Sequence, residues 1–115
     1  MAYTREPFSG STHGRGIKVV ATSTPGTTIH TGQASTTLSD VVTVYAYNSD
    51  TVARTLTLEW GGTTAPDDNI KVDIPPQSGL VPVVIDLITR NSLVVKAFCE
   101  TANVVVLYGF VNVEA

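Results

Sequence analysis

Cysteine is nearly absent. Cys99 is the only one in 115 residues, so no intrachain disulfide can form and a disulfide-stapled secreted scaffold is excluded. Cys99, His13 and His30 together are too few for a structural zinc site. Charge is scarce as well: 15% of the residues are Asp, Glu, Lys or Arg, against about 25% in an average soluble domain. The net charge is −3 and the pI about 5.1, which opposes a nucleic-acid-binding domain with its basic stripe. No apolar run approaches the roughly 18 residues of a membrane helix. The opening stretch, MAYTREPFSGST, has no apolar signal-peptide core, so synthesis in a cytoplasm is expected. No ten-residue window carries a helical stripe.

What the chain does have is β texture. Residues 1–16 are rich in Ser, Gly, Thr and Arg without apolar periodicity, which reads as a flexible N-terminal arm ahead of a domain spanning 17–115. From Ile17 onward, short Val/Ile/Leu/Thr/Tyr runs alternate with turn formers. About eight strands are expected: Ile17–Ser23, Thr27–Thr31, Val41–Asn48, Val52–Trp60, Asn69–Ile74, Gly79–Asp86, Leu93–Glu100 and Val104–Val113. Pro25-Gly26, Asn48-Ser49-Asp50, Gly61-Gly62, Pro66-Asp67-Asp68 and Pro75-Pro76 punctuate them, each by its turn chemistry or by the ladder donor that proline lacks.

Period two is plain in two runs. Ile70, Val72 and Ile74 oppose Lys71 and Asp73, while Leu56, Leu58 and Trp60 oppose Thr55, Thr57 and Glu59. Val41–Tyr47 and Val104–Val111 are apolar on both sides, as in strands that lie centrally or have their outer face covered by another subunit. The predicted fold is all-β: a single antiparallel β-sandwich, jelly-roll-like by its strand number, with an immunoglobulin-like order left open.

Chemistry is sparse. No GxSxG elbow occurs, and the glycine-rich stretches lack the lysine of a phosphate loop. His30, in TTIHTG, reads as a hydrogen-bonded structural residue before it reads as a general base. Asp67-Asp68 reads as turn capping, because the distal Glu of an EF-hand is missing. Trp60 stands before Gly61-Gly62, where it either plugs the open end of the sandwich or stacks on a sugar. Cys99 alternates with Leu93, Val95 and Ala97 and should point inward and be inert. No catalytic, metal or cofactor residues are assigned, and no enzyme is expected.

The strings LTLEWGGTTAPDDNIKVDIPPQSGLVPV at 56–83, NSLVVKAF at 91–98 and TANVVVLYGFVN at 101–112 together resemble a family of small β-sandwich proteins of tailed bacteriophages. With IHTG at 29–32, the resemblance covers about residues 28–113 and leaves the first 16 outside it. It implies a virion protein of the capsid decoration or cement type. Such a protein would be made in the host cytoplasm and bound to the major capsid protein on the capsid surface. The apolar strands suggest self-association, with a homotrimer expected, since closed symmetric assembly is common. Residues 1–18 carry a balance of +2 on an acidic body, so Tyr3, Arg5, Phe8, His13 and Arg15 are the candidate capsid-docking residues. Tyr45, Tyr47 and Trp60 are the candidate surface-contact aromatics. They also carry the alternative of a tail or head-fibre accessory module that recognises host glycan.

Overall fold

The structure is a computed structural model and describes residues 2–115. Nine strands follow one another: β1 (Tyr3–Glu6), β2 (Ile17–Lys18), β3 (Thr27–Thr31), β4 (Asp40–Asn48), β5 (Arg54–Trp60), β6 (Asn69–Ile74), β7 (Val81–Thr89), β8 (Val94–Cys99) and β9 (Val105–Glu114). They form two sheets. Sheet A has the order β1-β9-β4-β7, with β2 also on β9, and sheet B has the order β3-β8-β5-β6. Every pairing is antiparallel.

The pairing has a simple logic. β2 pairs β9, β3 pairs β8, β4 pairs β7 and β5 pairs β6, which is a nested set closing on the β5–β6 hairpin. Rolling that long double ribbon into two layers adds the β4–β9 and β5–β8 ladders. This is jelly-roll topology. Between the layers lies the core: Val42, Val44 and Ala46 of β4, Val105, Leu107 and Val111 of β9, Leu56 and Leu58 of β5, and Val95, Ala97 and Cys99 of β8. Each set repeats every second residue, as the pleat requires.

β1 and β2 lie along the same edge of β9. Tyr3–Glu6 pairs with residues 111–114, and Ile17 and Lys18 pair with Leu107 and Val106. They are two halves of one edge strand, interrupted by an excursion of residues 7–16. That excursion crosses to sheet B. Gly10 N–H donates to the Ile29 carbonyl at 2.9 Å, Ser9 N–H to His30 Nδ1 at 3.0 Å, and Thr31 N–H to Ser9 Oγ at 2.8 Å. Phe8 turns into the core, only 2% exposed. Its seat is Gly109, where a Cβ would come within 2.7 Å of the Phe8 ring and 2.0 Å of the Thr43 carbonyl oxygen.

These contacts differ from the free arm expected for residues 1–16. The side chains of Tyr3–Glu6 are all exposed, so the segment is held by backbone pairing, Phe8 and the bonds of residues 9 and 10. The expected Ile17–Ser23 strand is also shorter. Only Ile17 and Lys18 sit in the ladder, after which the chain leaves sheet A and runs over the outer face of sheet B.

Candidate interaction face

The outer face of sheet A is built by alternation. In β4 the residues between the core positions are Val41, Thr43, Tyr45 and Tyr47. In β9 they are Val106, Tyr108, Phe110 and Asn112, register partners of the first set in reverse order. None of these eight is charged. Arg5 and Tyr3 extend the face on β1, and Pro82 and Ile88 extend it on β7. All four tyrosines of the chain therefore lie on this face, together with Phe110. Ile85 and Ile88 of β7 are 55% and 51% exposed, and Tyr3 is 52% exposed. Gly16 leaves room at its edge, since a Cβ there would meet Tyr108 and Val106.

Two shallow hollows open on the face. One, of about 430 Å³, is lined by Tyr3, Val41, Asp86 and Asn112. The other, of about 380 Å³, lies beneath the 7–16 excursion and includes Arg5, Glu6, His13 and Phe110 in its lining. Between them Arg5 is held in place. Its Nε donates to Asn112 Oδ1 at 3.2 Å, and its guanidinium carbon lies 4.1 Å from the Phe110 ring centroid. That arrangement combines a cation–π contact with a fixed guanidinium fork.

The outer face of sheet B is different in kind. Its outward positions are mostly polar, Thr55, Thr57, Glu59, Lys71, Asp73 and Lys96, with Phe98 beside Thr57. Glu59 alternates outward as the sequence pattern has it, yet it is completely buried. The 19–26 segment lies across it. Thr24 Oγ1 donates to Glu59 Oε2 at 2.5 Å, and Gly26 N–H donates to Oε1 at 2.6 Å. The carboxylate thus straps the crossover to the sheet, satisfying the segment's polar groups as it is buried.

His30 and Asp40 form the most site-like pair in the molecule. Both are buried, with Nε2 and Asp40 Oδ2 2.7 Å apart. Because Nδ1 accepts from Ser9 N–H, neutral His30 carries its hydrogen on Nε2 and donates to Asp40. Asp40 also accepts from Gln33 N and Nε2. Gln33 Nε2 reaches the Glu114 carbonyl as well, and Glu114 Oε1 accepts from Ser39 N–H. Both ring nitrogens are engaged, so the pair joins the 7–16 excursion, β3, β4 and the end of β9. No group of three or more potential metal ligands occurs among the described residues.

The candidate residues separate into three places. Tyr3, Arg5, Tyr45 and Tyr47 come together on sheet A's outer face. His13 and Arg15 are exposed on the excursion, with His13 at φ 52, and Phe8 is in the core. Trp60 belongs elsewhere: it lies opposite Val95 in sheet B, packs against the core, and donates its indole N–H to the Ile88 carbonyl of β7 at 3.0 Å. It ties the ends of the two sheets together and shares no platform with Tyr45 and Tyr47. Sequence reasoning missed Tyr108, Phe110 and Asp86 as members of the face. The first two stand two residues apart in a strand read as two-sided, which was the available signal. Asp86 reaches the face through a bulge in β7 that no periodicity announces. Cys99 is buried, and burial pushes its thiol pKa up.

No protein-family model, curated protein or solved structure matches the chain.

Proposed function

We propose that this chain is a structural protein of a tailed-phage particle, a decoration or cement protein that binds the major capsid protein and covers seams between its subunits. The observation that carries the reading is the outer face of sheet A. Two central strands direct eight uncharged residues outward, four of them aromatic and all but buried Thr43 at least partly exposed, on a chain whose other outer face is mostly polar. Such a face suits a protein that acts by burying surface against partners. The family resemblance of residues 28–113 supplies the virion setting. His13 and Arg15, exposed on the excursion, are the basic groups offered to an acidic shell surface.

The test is quantitative mass spectrometry of purified virus particles. A copy number near that of the major capsid protein is expected, and absence from the particle rejects the reading. Substituting His13 by asparagine, which tolerates its left-handed backbone, and Arg15 by alanine should lower capsid occupancy without moving the melting temperature. The glycan reading relied on Trp60, Tyr45 and Tyr47 acting together, and their separation leaves it without a supporting observation.

A further inference from the structure

We propose that the outer face of sheet A is a two-fold self-association surface, on which a second copy of this chain packs sheet against sheet with the symmetry axis running along β4 and β9. The inference stands on the face itself and does not depend on the virion reading.

Charge selects the occupant and its orientation. The centre of the face is uncharged; Lys18 of β2 stands at its Val106 end, and of the other two charges Arg5 lies on β1 at one edge and Asp86 on β7 at the opposite one. Neither Arg5 nor Asp86 forms an ion pair among the described residues. Their charged groups come to one level along the strands. The Arg5 backbone is level with Asn112 and Val41, but its guanidinium lies over Phe110, the register partner of Thr43, and Asp86 N–H donates to Thr43 Oγ1.

A half-turn about an in-plane axis parallel to the strands preserves that level and exchanges the edges. Arg5 of each copy then lies over Asp86 of the other, giving two equivalent ion pairs. A half-turn about an axis across the strands would instead stack β1 on β1 and place Arg5 against its own kind, a repulsive arrangement. The face therefore favours a two-fold association over the three-fold one expected from the sequence.

Arg5 is prepared for the role. Asn112 holds its Nε and Phe110 lies against its guanidinium plane, so its terminal N–H groups can fork onto a carboxylate at a reduced cost in side-chain entropy. The area is sufficient. The molecule measures 44 × 28 × 20 Å, and two stacked sheets take up the short axis. Those extents bound the face at roughly 1,200 Å², above the ~800 Å² per partner of a standard interface.

Sedimentation velocity on the full chain tests this over a wide concentration range. The wild type should reach twice the 12.2 kDa chain mass. Arg5→Glu and Asp86→Lys should each weaken the dimer about tenfold or more, as a like-charge contact does. Combining the two reverses both charges and should restore association to near the wild-type level. Asp86 has φ 55, a backbone that Lys adopts poorly, so Asp86→Asn is the second variant. Asn tolerates that conformation and removes only the charge. Tyr108→Arg, at the centre of the face, should abolish dimers while thermal melting shows an intact fold. A chain that stays monomeric at every concentration overturns the proposal. So does a trimer, or a dimer indifferent to Arg5→Glu and Tyr108→Arg. None of these results bears on particle composition, which mass spectrometry reads separately.

Discussion

Phe8→Ala should cost this protein a large part of its stability. Phe8 comes from a segment whose composition looks unfolded, yet the ring is 2% exposed, occupies the space above Gly109 and lies 6.3 Å from the His30 ring between the sheets. Truncating a buried phenylalanine to alanine costs about 3–5 kcal/mol, transfer and cavity terms together. A domain has only about 5–15 kcal/mol in total, so a fifth or more of the stability is at stake. At about 4 °C per kcal/mol for a chain of this size, the melting temperature should fall by roughly 12–20 °C.

Urea unfolding of wild type and variant measures the difference directly. Amide exchange adds location, since Ser9 and Gly10 N–H donate to His30 and to Ile29 and should lose protection ahead of β4 and β9. Phe8→Leu retains an apolar filler and should lose much less than the alanine variant. Deleting residues 2–16 removes β1 and this plug together and should destabilise the sandwich severely. A Phe8→Ala cost under about 1 kcal/mol, with unchanged exchange at Ser9 and Gly10, would show that the segment is a free arm and refute the packing argument.

Three further outcomes follow from the same contacts. Trp60→Ala should destabilise by about 3–5 kcal/mol, because it removes core packing and the indole bond to the Ile88 carbonyl, a loss that calorimetry would register. Glu59→Leu should cost about 1–3 kcal/mol, since Thr24 Oγ1 and Gly26 N–H both lose their acceptor; a neutral result in denaturant titration would mean the 19–26 strap is not anchored there. Asp50 is held below the usual carboxylate range, chiefly by hydrogen bonds from Arg54 and then from Thr51 N–H. Its contribution is therefore present above the unfolded carboxylate pKa and lost as pH falls through the lowered folded value, and an NMR titration of Arg54→Met should find the Asp50 carboxyl shifted back up.

The strands that sequence reading located best are those whose side chains carry the information. Thr27–Thr31 and Asn69–Ile74 match the structure residue for residue, and the inward set Leu56, Leu58 and Trp60 follows from period two alone. The misread segments are held by something other than a side-chain pattern. Tyr3–Glu6 is bound through its backbone with every side chain outside, which leaves no periodicity to read. Phe8 is one apolar residue in a polar stretch, and its seat is made by a glycine about a hundred positions later. A lone glycine within an apolar strand does signal a close approach, but it does not say of what. Glu59 alternates correctly with Leu58 and is outward-facing as expected. Its burial comes from the 19–26 crossover, a tertiary event. The interaction face was legible only in part: Tyr45 and Tyr47 were singled out, while Tyr108 joins them only when β4 and β9 pair.

That pairing sharpens what an apolar two-sided strand means in this fold. In a parallel sheet covered by helices, a central strand is buried on both faces. A two-layer sandwich offers no such cover, so a central position explains only the inward half of β4 and β9. Val42, Val44, Ala46, Leu107 and Val111 are accounted for by the core. Val41, Tyr45, Tyr47, Val106, Tyr108 and Phe110 are not: Arg5 lies against Phe110 and Gly16 meets the Val106–Tyr108 edge, but no segment among the described residues straps them as 19–26 straps Glu59. Their chemistry fits a face that alternates between water and contact. Three are tyrosines, which pair a large apolar surface with a hydroxyl that water can satisfy, where a permanently buried layer would be leucine and valine, as the core is. The association expected on this face is therefore one that dissociates on dilution, leaving the folded monomer soluble through its mostly polar second sheet.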